Sequence, residues 1–114
     1  MVKIYGIPNC DTIKKARIWL SDHGIGYEFH DYKKAGIDEK MLKSWIQSLG
    51  WEALLNKRST SWRQLDDGIK SNLDETKAME IMLQNPTIIK RPLLDDGEKL
   101  YLGFKADHYS QIFS

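Results

Sequence analysis

The chain opens on an alternation of apolar and polar positions, Val2-Lys3-Ile4-Tyr5, broken at once by Gly6-Ile7-Pro8-Asn9. Period-two alternation in β-branched and aromatic residues predicts a strand, and the Gly and Pro that follow predict a loop. From Asp11 the period changes. Ile13, Ala16, the stem of Arg17 and Leu20 recur at helical spacing with Trp19 beside them, and Gly24 and Gly26 supply a stop, so a first helix is expected from about Asp11 to His23. Tyr27 to Tyr32 alternates again. Strand, helix and strand in succession make a βαβ unit, whose right-handed crossover sets the two strands parallel.

Asp38 is a candidate N-cap for the run Glu39 to Leu49, where Met41, Leu42, Trp45, Ile46 and Leu49 form one apolar stripe ending at Gly50. Trp51 to Leu55 reads as a short turn of helix and Trp62 to Ile69 as a weaker one. Asp74 to Lys77 starts a further helix with Ala78, Ile81, Met82 and Leu83 inward. After Asn85-Pro86 comes the β-branched run Thr87-Ile88-Ile89. Pro92-Leu93-Leu94 and Lys99 to Leu102 then flank Asp95-Asp96-Gly97 as a hairpin, and Lys105 to Phe113 can form a last helix. The order βαβ, helices, ββα predicts an α/β protein: one domain, residues 1–114, with a four-stranded mixed sheet and an all-helical insertion at about 38–84.

The length suits one domain with a core of its own. Its net charge of +1, with lysines and arginines interleaved among acids, argues against a nucleic-acid surface. No stretch approaches the ~20 apolar residues that span a bilayer, and the first strand begins with no apolar leader, so no membrane partner and a cytoplasmic address are expected. A monomer is expected as well. His23, His30 and His108 share no ligand spacing with one another or with the cysteine, so no metal is assigned. Trp19, Trp45, Trp51 and Trp62 fall at or near apolar helical positions and are read as packing.

Cys10 is the only cysteine. One thiol forms no internal disulfide, which leaves buried filler or a reactive group. Location favours the second, because Cys10 falls where a loop enters the first helix. Unpaired backbone N–H groups and the helix dipole there favour an anion and pull the pKa below the ~8.5 of a free thiol. Lys14, one turn on, and Lys15 add positive potential while Asp11 opposes it. Thr12 offers a hydroxyl or an amide toward the sulfur or a bound oxyanion.

Two stretches, Tyr5-Gly6-Ile7-Pro8-Asn9-Cys10-Asp11-Thr12-Ile13-Lys14-Lys15-Ala16-Arg17 and Asn85-Pro86-Thr87-Ile88-Ile89-Lys90-Arg91-Pro92-Leu93, resemble the arsenate-reductase-like (ArsC) family, and within it the YffB subgroup. The resemblance runs over essentially the whole chain. It implies a thioredoxin/glutaredoxin-like fold with a helical insertion, a cysteine that attacks sulfur or oxyanion groups, and glutathione as co-substrate. Carried over by position, Cys10 matches the nucleophile, Arg91 the arginine before the proline, and Pro92 the proline that is cis in thioredoxin-like folds and would face Cys10. A plain edge-strand proline is the alternative reading of Pro92. Arg58 resembles an arginine lining the anion pocket, its planar fork suited to a carboxylate or oxyanion, and a solvated surface arginine is the alternative there.

The departures bear on substrate. Arsenate reductases of the family carry a histidine where this chain has Gly6, a glycine where it has Asp11, and a third arginine where it has Phe104 and Lys105. Regulators of the Spx type usually carry Cys-x-x-Cys, and Ile13 takes the second cysteine's place. The expectation is a glutathione-dependent thiol oxidoreductase that reduces mixed disulfides through Cys10, with Thr12, Lys14, Arg58, Arg91 and Pro92 binding glutathione or a glutathionylated substrate. A regulatory protein-binding module and an arsenate or oxyanion reductase are the alternatives.

Overall fold

The structure, a computed structural model, describes residues 2–114. Along it run β1 (Val2–Gly6), α1 (Asp11–Asp22), β2 (Tyr27–Asp31), α2 (Tyr32–Ala35), α3 (Glu39–Leu49), α4 (Trp51–Leu54), α5 (Thr60–Arg63), α6 (Asp67–Ser71) and α7 (Glu75–Gln84). A 3₁₀ turn (Pro86–Ile88), β3 (Leu93–Asp95), β4 (Leu100–Leu102) and α8 (Ala106–Ile112) complete it. These elements fall into two compact units. The sheet unit comprises the chain up to Asp31 together with Arg91–Ser114, and the helical unit is Tyr32–Lys90. The helical unit takes in α2 and the 3₁₀ turn, so it extends beyond the 38–84 read from the hydrophobic pattern.

In the sheet unit the strand order is β2-β1-β3-β4. β1 is parallel to β2 and antiparallel to β3, and β3 is antiparallel to β4. With α1 as the crossover and α8 as the closing helix, this is the four-stranded mixed sheet of a thioredoxin/glutaredoxin-like fold. Register does the rest. Phe29 lies opposite Ile4, Ile4 opposite Leu94, and Leu94 opposite Tyr101. That row shares one face of the sheet. Ile4 and Leu94 are fully buried there with Ala16 and Leu20 of α1 and Tyr109 of α8, while Phe29 and Tyr101 pack against them. Each fully buried aliphatic side chain in such a core contributes roughly 1.5–3 kcal/mol. Gly6 shares the face of Ile4, so the end of β1 meets the first turn of α1.

In the helical unit, Asp38 caps α3, its Oδ1 accepting from the Lys40 amide at 2.9 Å. Asp74 caps α7 in the same way, accepting from the Lys77 amide at 2.8 Å. Two segments differ from the sequence pattern. The single turn expected over Trp62 to Ile69 is two short helices, because Asp66 is extended (φ −60°, ψ 139°) and interrupts the hydrogen-bond run; Ile69 is left 44% exposed. Thr87-Ile88-Ile89, β-branched as it is, begins in a 3₁₀ turn with Pro86 at its first position, and only Ile89 makes a bridge, to Leu55. The hairpin forms as expected, with Asp96 Oδ1 accepting from the Glu98 and Lys99 amides at 2.9 and 2.7 Å. Among the described residues no helix is long and apolar enough to cross a membrane.

The core buries the hydroxyl of Tyr109. Tyr109 is 0% exposed, ringed by Trp19, Phe104 and Phe113, and its hydroxyl finds no hydrogen-bond partner among the described residues. Burial also pushes its ionisation far above the ordinary tyrosine range. An unpartnered buried hydroxyl costs about 1–3 kcal/mol. Tyr109→Phe is therefore expected to stabilise the protein by about 1 kcal/mol in denaturant melts. A raised folded-state pKa contributes stability that is lost as pH rises past the unfolded value near 10, so the variant should also blunt the loss of stability above about pH 10. A variant less stable than the parent at pH 7 would contradict the assignment.

Candidate active site

Cys10 stands between β1 and α1 as the N-cap of α1, in extended conformation (φ −91°, ψ 128°). Its carbonyl accepts from the Lys14 amide at 3.0 Å, which opens the helix, and its own amide donates to the Ile7 carbonyl at 3.3 Å. The backbone is thus tied on both sides of the half-buried thiol. No complete capping hydrogen bond reaches the sulfur, yet charge does. Partial burial is the largest influence on the thiol and pushes its pKa up. Against it act the Ile13 amide, the Arg91 guanidinium by hydrogen bonding and by charge, and the Thr12 amide. Together they win, and the thiol is held below its ordinary value. The shift favours the thiolate, the nucleophilic form of the side chain.

The stabilising groups arrive from opposite ends of the sequence. The amides come from the first turn of α1; Arg91 comes from the residue pair leading into β3, where the Arg91–Pro92 bond is cis. Pro92 is buried, and its carbonyl accepts from the Gly103 amide at 2.9 Å, which ties this segment to the end of β4. Between the two sources lies Gly6. A β-carbon there would overlap the Ile13 side chain and stand 3.6 Å from the Arg91 β-carbon. The absent side chain is what lets α1 and the β3 entry close on the same sulfur.

Of the residues singled out from sequence, the structure brings Cys10, Thr12 and Arg91 together, with Pro92 adjoining Arg91. Lys14 is exposed and lines a groove along α1 with Arg17 and Tyr27; the cation that acts on the sulfur is Arg91. Arg58 belongs to the helical unit and is exposed, with its amide donating to Asn56 Oδ1 at 3.1 Å. Sequence reasoning missed the joint role of Gly6 and Ile13. The available signal was a glycine ending a strand four residues before the cysteine and an aliphatic three residues after it. Among the described residues no cluster of three or more His, Cys, Asp or Glu is arranged to hold a metal.

The family model described as ArsC family matches residues 5–112. An uncharacterized protein of Haemophilus influenzae is 45% identical over 114 residues, the whole of both chains. The global transcriptional regulator Spx of Streptococcus agalactiae is 27% identical over 109 residues, 94% of this chain and 79% of that protein. Among solved structures, a YffB protein superposes with a TM-score of 0.94 at 46% identity, covering 100% of both chains.

Gly6→Ala forces the Ile13 side chain to shift, and with it the turn that presents the Ile13 amide to the sulfur, so it is expected to raise the pH midpoint of Cys10 alkylation by iodoacetamide. Reaction should slow at neutral pH and converge with the parent rate in alkali. Arg91→Gln should move the midpoint the same way. Pairing Gly6→Ala with Ile13→Ala returns the space and should recover much of the parent profile. A parent-like profile for Gly6→Ala alone would show that the glycine does not set the thiolate environment.

Proposed function

This chain belongs to the ArsC family, and we propose that within it the protein is a glutathione-dependent thiol oxidoreductase that reduces mixed disulfides by a monothiol route. The observation that carries the reading is a thiolate-prone, half-buried Cys10 with Arg91 beside it in a chain that has no second cysteine. The Cys10 thiolate attacks the glutathione sulfur of a glutathionylated substrate. A Cys10–glutathione disulfide forms, the substrate sulfur leaves as a thiolate, and solvent supplies its proton. A second glutathione thiolate then attacks the glutathione sulfur of that disulfide, oxidised glutathione departs, and the Cys10 thiolate returns. One glutathione thiol is oxidised to the disulfide level and the substrate sulfur is reduced to a thiol, while the glutathionyl sulfur passes from the substrate to Cys10 and on to the second glutathione at the disulfide level throughout.

The Arg91 guanidinium stands beside the sulfur that would carry the glutathione, and its planar fork is suited to a carboxylate. Thr12 adjoins the sulfur and Pro92 adjoins Arg91, with Lys14 one turn along α1 as a further cation for the bound substrate. The reading places the protein in the cytoplasm, acting as a monomer. Oxyanion reduction ranks lower. At Gly6, where arsenate reductases of the family carry histidine, a side chain has no room beside Ile13, and Asp11 adds negative charge next to the sulfur.

The Spx relative favours a second reading, a regulatory module that docks a protein partner without turnover. The two separate in one assay. Purified protein given glutathione and a glutathionylated peptide is expected to release the peptide thiol, to accumulate one glutathione adduct by mass spectrometry, and to lose both behaviours in Cys10→Ser, with little arsenate reduction under the same glutathione supply. Arsenate turnover without an adduct on Cys10 would sink the proposed substrate, and an alkylatable Cys10 with neither activity would put the regulatory reading first.

A further inference from the structure

The outer face of α1 carries a groove of about 410 Å³ lined by Lys14, Arg17, Ile18, Ser21, Asp22 and Tyr27. At 100° per residue, positions 14, 17 and 21 fall on one side of α1, and Lys14, whose amide donates to the Cys10 carbonyl, is the lining residue nearest the cysteine in sequence, so the groove begins one turn beyond the N-cap. Its cations stand at the near end and Asp22 at the far end. Arg17 is held in place: its Nε donates to the Tyr27 hydroxyl at 3.2 Å, and its guanidinium carbon lies 4.4 Å from the centroid of the Phe29 ring. Among the described residues neither Arg17 nor Lys14 has a carboxylate partner. A guanidinium fixed by an aromatic ring and a phenol, with charge to spare, is prepared for an anion from outside the molecule. Ile18, in the middle of the groove, is 60% exposed, the highest of the exposed large apolar side chains.

We infer that this groove is a docking subsite for an extended segment of the substrate protein, one that carries an acidic residue followed by an apolar residue next to its modified cysteine. The acid meets Arg17 and Lys14, the apolar residue covers Ile18, and polar groups meet Ser21, Tyr27 and Asp22. Length favours a peptide over a small anion. Residues 14 to 22 of a helix span about 12 Å, the reach of three to four extended residues and far more than one phosphate or sulfate needs. The inference rests on Cys10 being the attacking sulfur, because that places the groove beside the reacting bond.

The test measures binding apart from turnover. Short fluorescein-labelled peptides with serine in place of the cysteine, carrying Ser-Glu-Leu or Leu-Glu-Ser, are titrated against the full-length protein beside counterparts in which Glu is replaced by Lys or Leu by Ser. One order of the acidic-apolar peptide is expected to bind about tenfold more tightly than its lysine counterpart at low salt, with the gap closing as salt rises. Arg17→Gln, and separately the exposed-site change Ile18→Ser, should each shrink that gap while Cys10 keeps its parent alkylation profile against pH. Equal binding of all peptides to the parent, or a preference that survives both substitutions, overturns the inference. Acid-selective binding without deglutathionylation upholds the groove and counts against the enzyme reading; turnover without selectivity leaves the enzyme reading and removes the groove.

Discussion

A sulfur anion half out of water is the constraint around which the sheet unit is arranged. Burial raises the thiol's pKa, so the thiolate exists near neutral pH only if positive charge reaches it from nearby. One helix terminus supplies part of that charge through its unpaired amides. Here the rest comes from a guanidinium at the far end of the sequence, which the β1–β3 pairing brings next to the β1–α1 loop. Ile4 opposite Leu94 is therefore more than core packing, because that register also fixes where Arg91 lies relative to Cys10.

Closeness of that kind has a steric condition. Three segments converge at the end of β1, and the side chain missing at Gly6 is the room they share with Ile13 and Arg91. An aliphatic at position 13 then serves twice: its amide faces the sulfur, and its fully buried side chain anchors the turn that presents that amide. The position that would hold a resolving thiol in a Cys-x-x-Cys motif is thereby occupied by structure.

How much of this was legible in the sequence follows from which interactions are local. Alternation in Val2–Tyr5, the 3.6-residue stripe Ile13-Ala16-Leu20 and the cap Asp38 are read off neighbouring residues, and each appears as expected. Cys10 at a helix entry is local too. Arg91 was picked out through family resemblance as a partner of the substrate; that it also acts on the sulfur depends on strand pairing across a long sequence gap, which no local pattern encodes. The break at Asp66 and the 3₁₀ turn at Pro86 escaped because a single backbone angle or one imino acid outweighed the apolar periodicity around it. Tyr109 reads as an ordinary core aromatic, and only the packed structure shows its hydroxyl stranded.

The Tyr32 hydroxyl donates to the Lys90 carbonyl at 3.0 Å, and those two residues are the first and last of the helical unit. An insertion clasped at its own ends behaves, for the chain that carries it, as a short connection. Bringing β3 back to β1 across an unstructured stretch of that length would cost roughly 2–3 kcal/mol more closure entropy than across a few residues. With the clasp formed, the parent sheet meets an effective contact order close to that of the same sheet without the insertion. The helical unit is then free to vary in length and surface without slowing the assembly of the sheet that holds the cysteine.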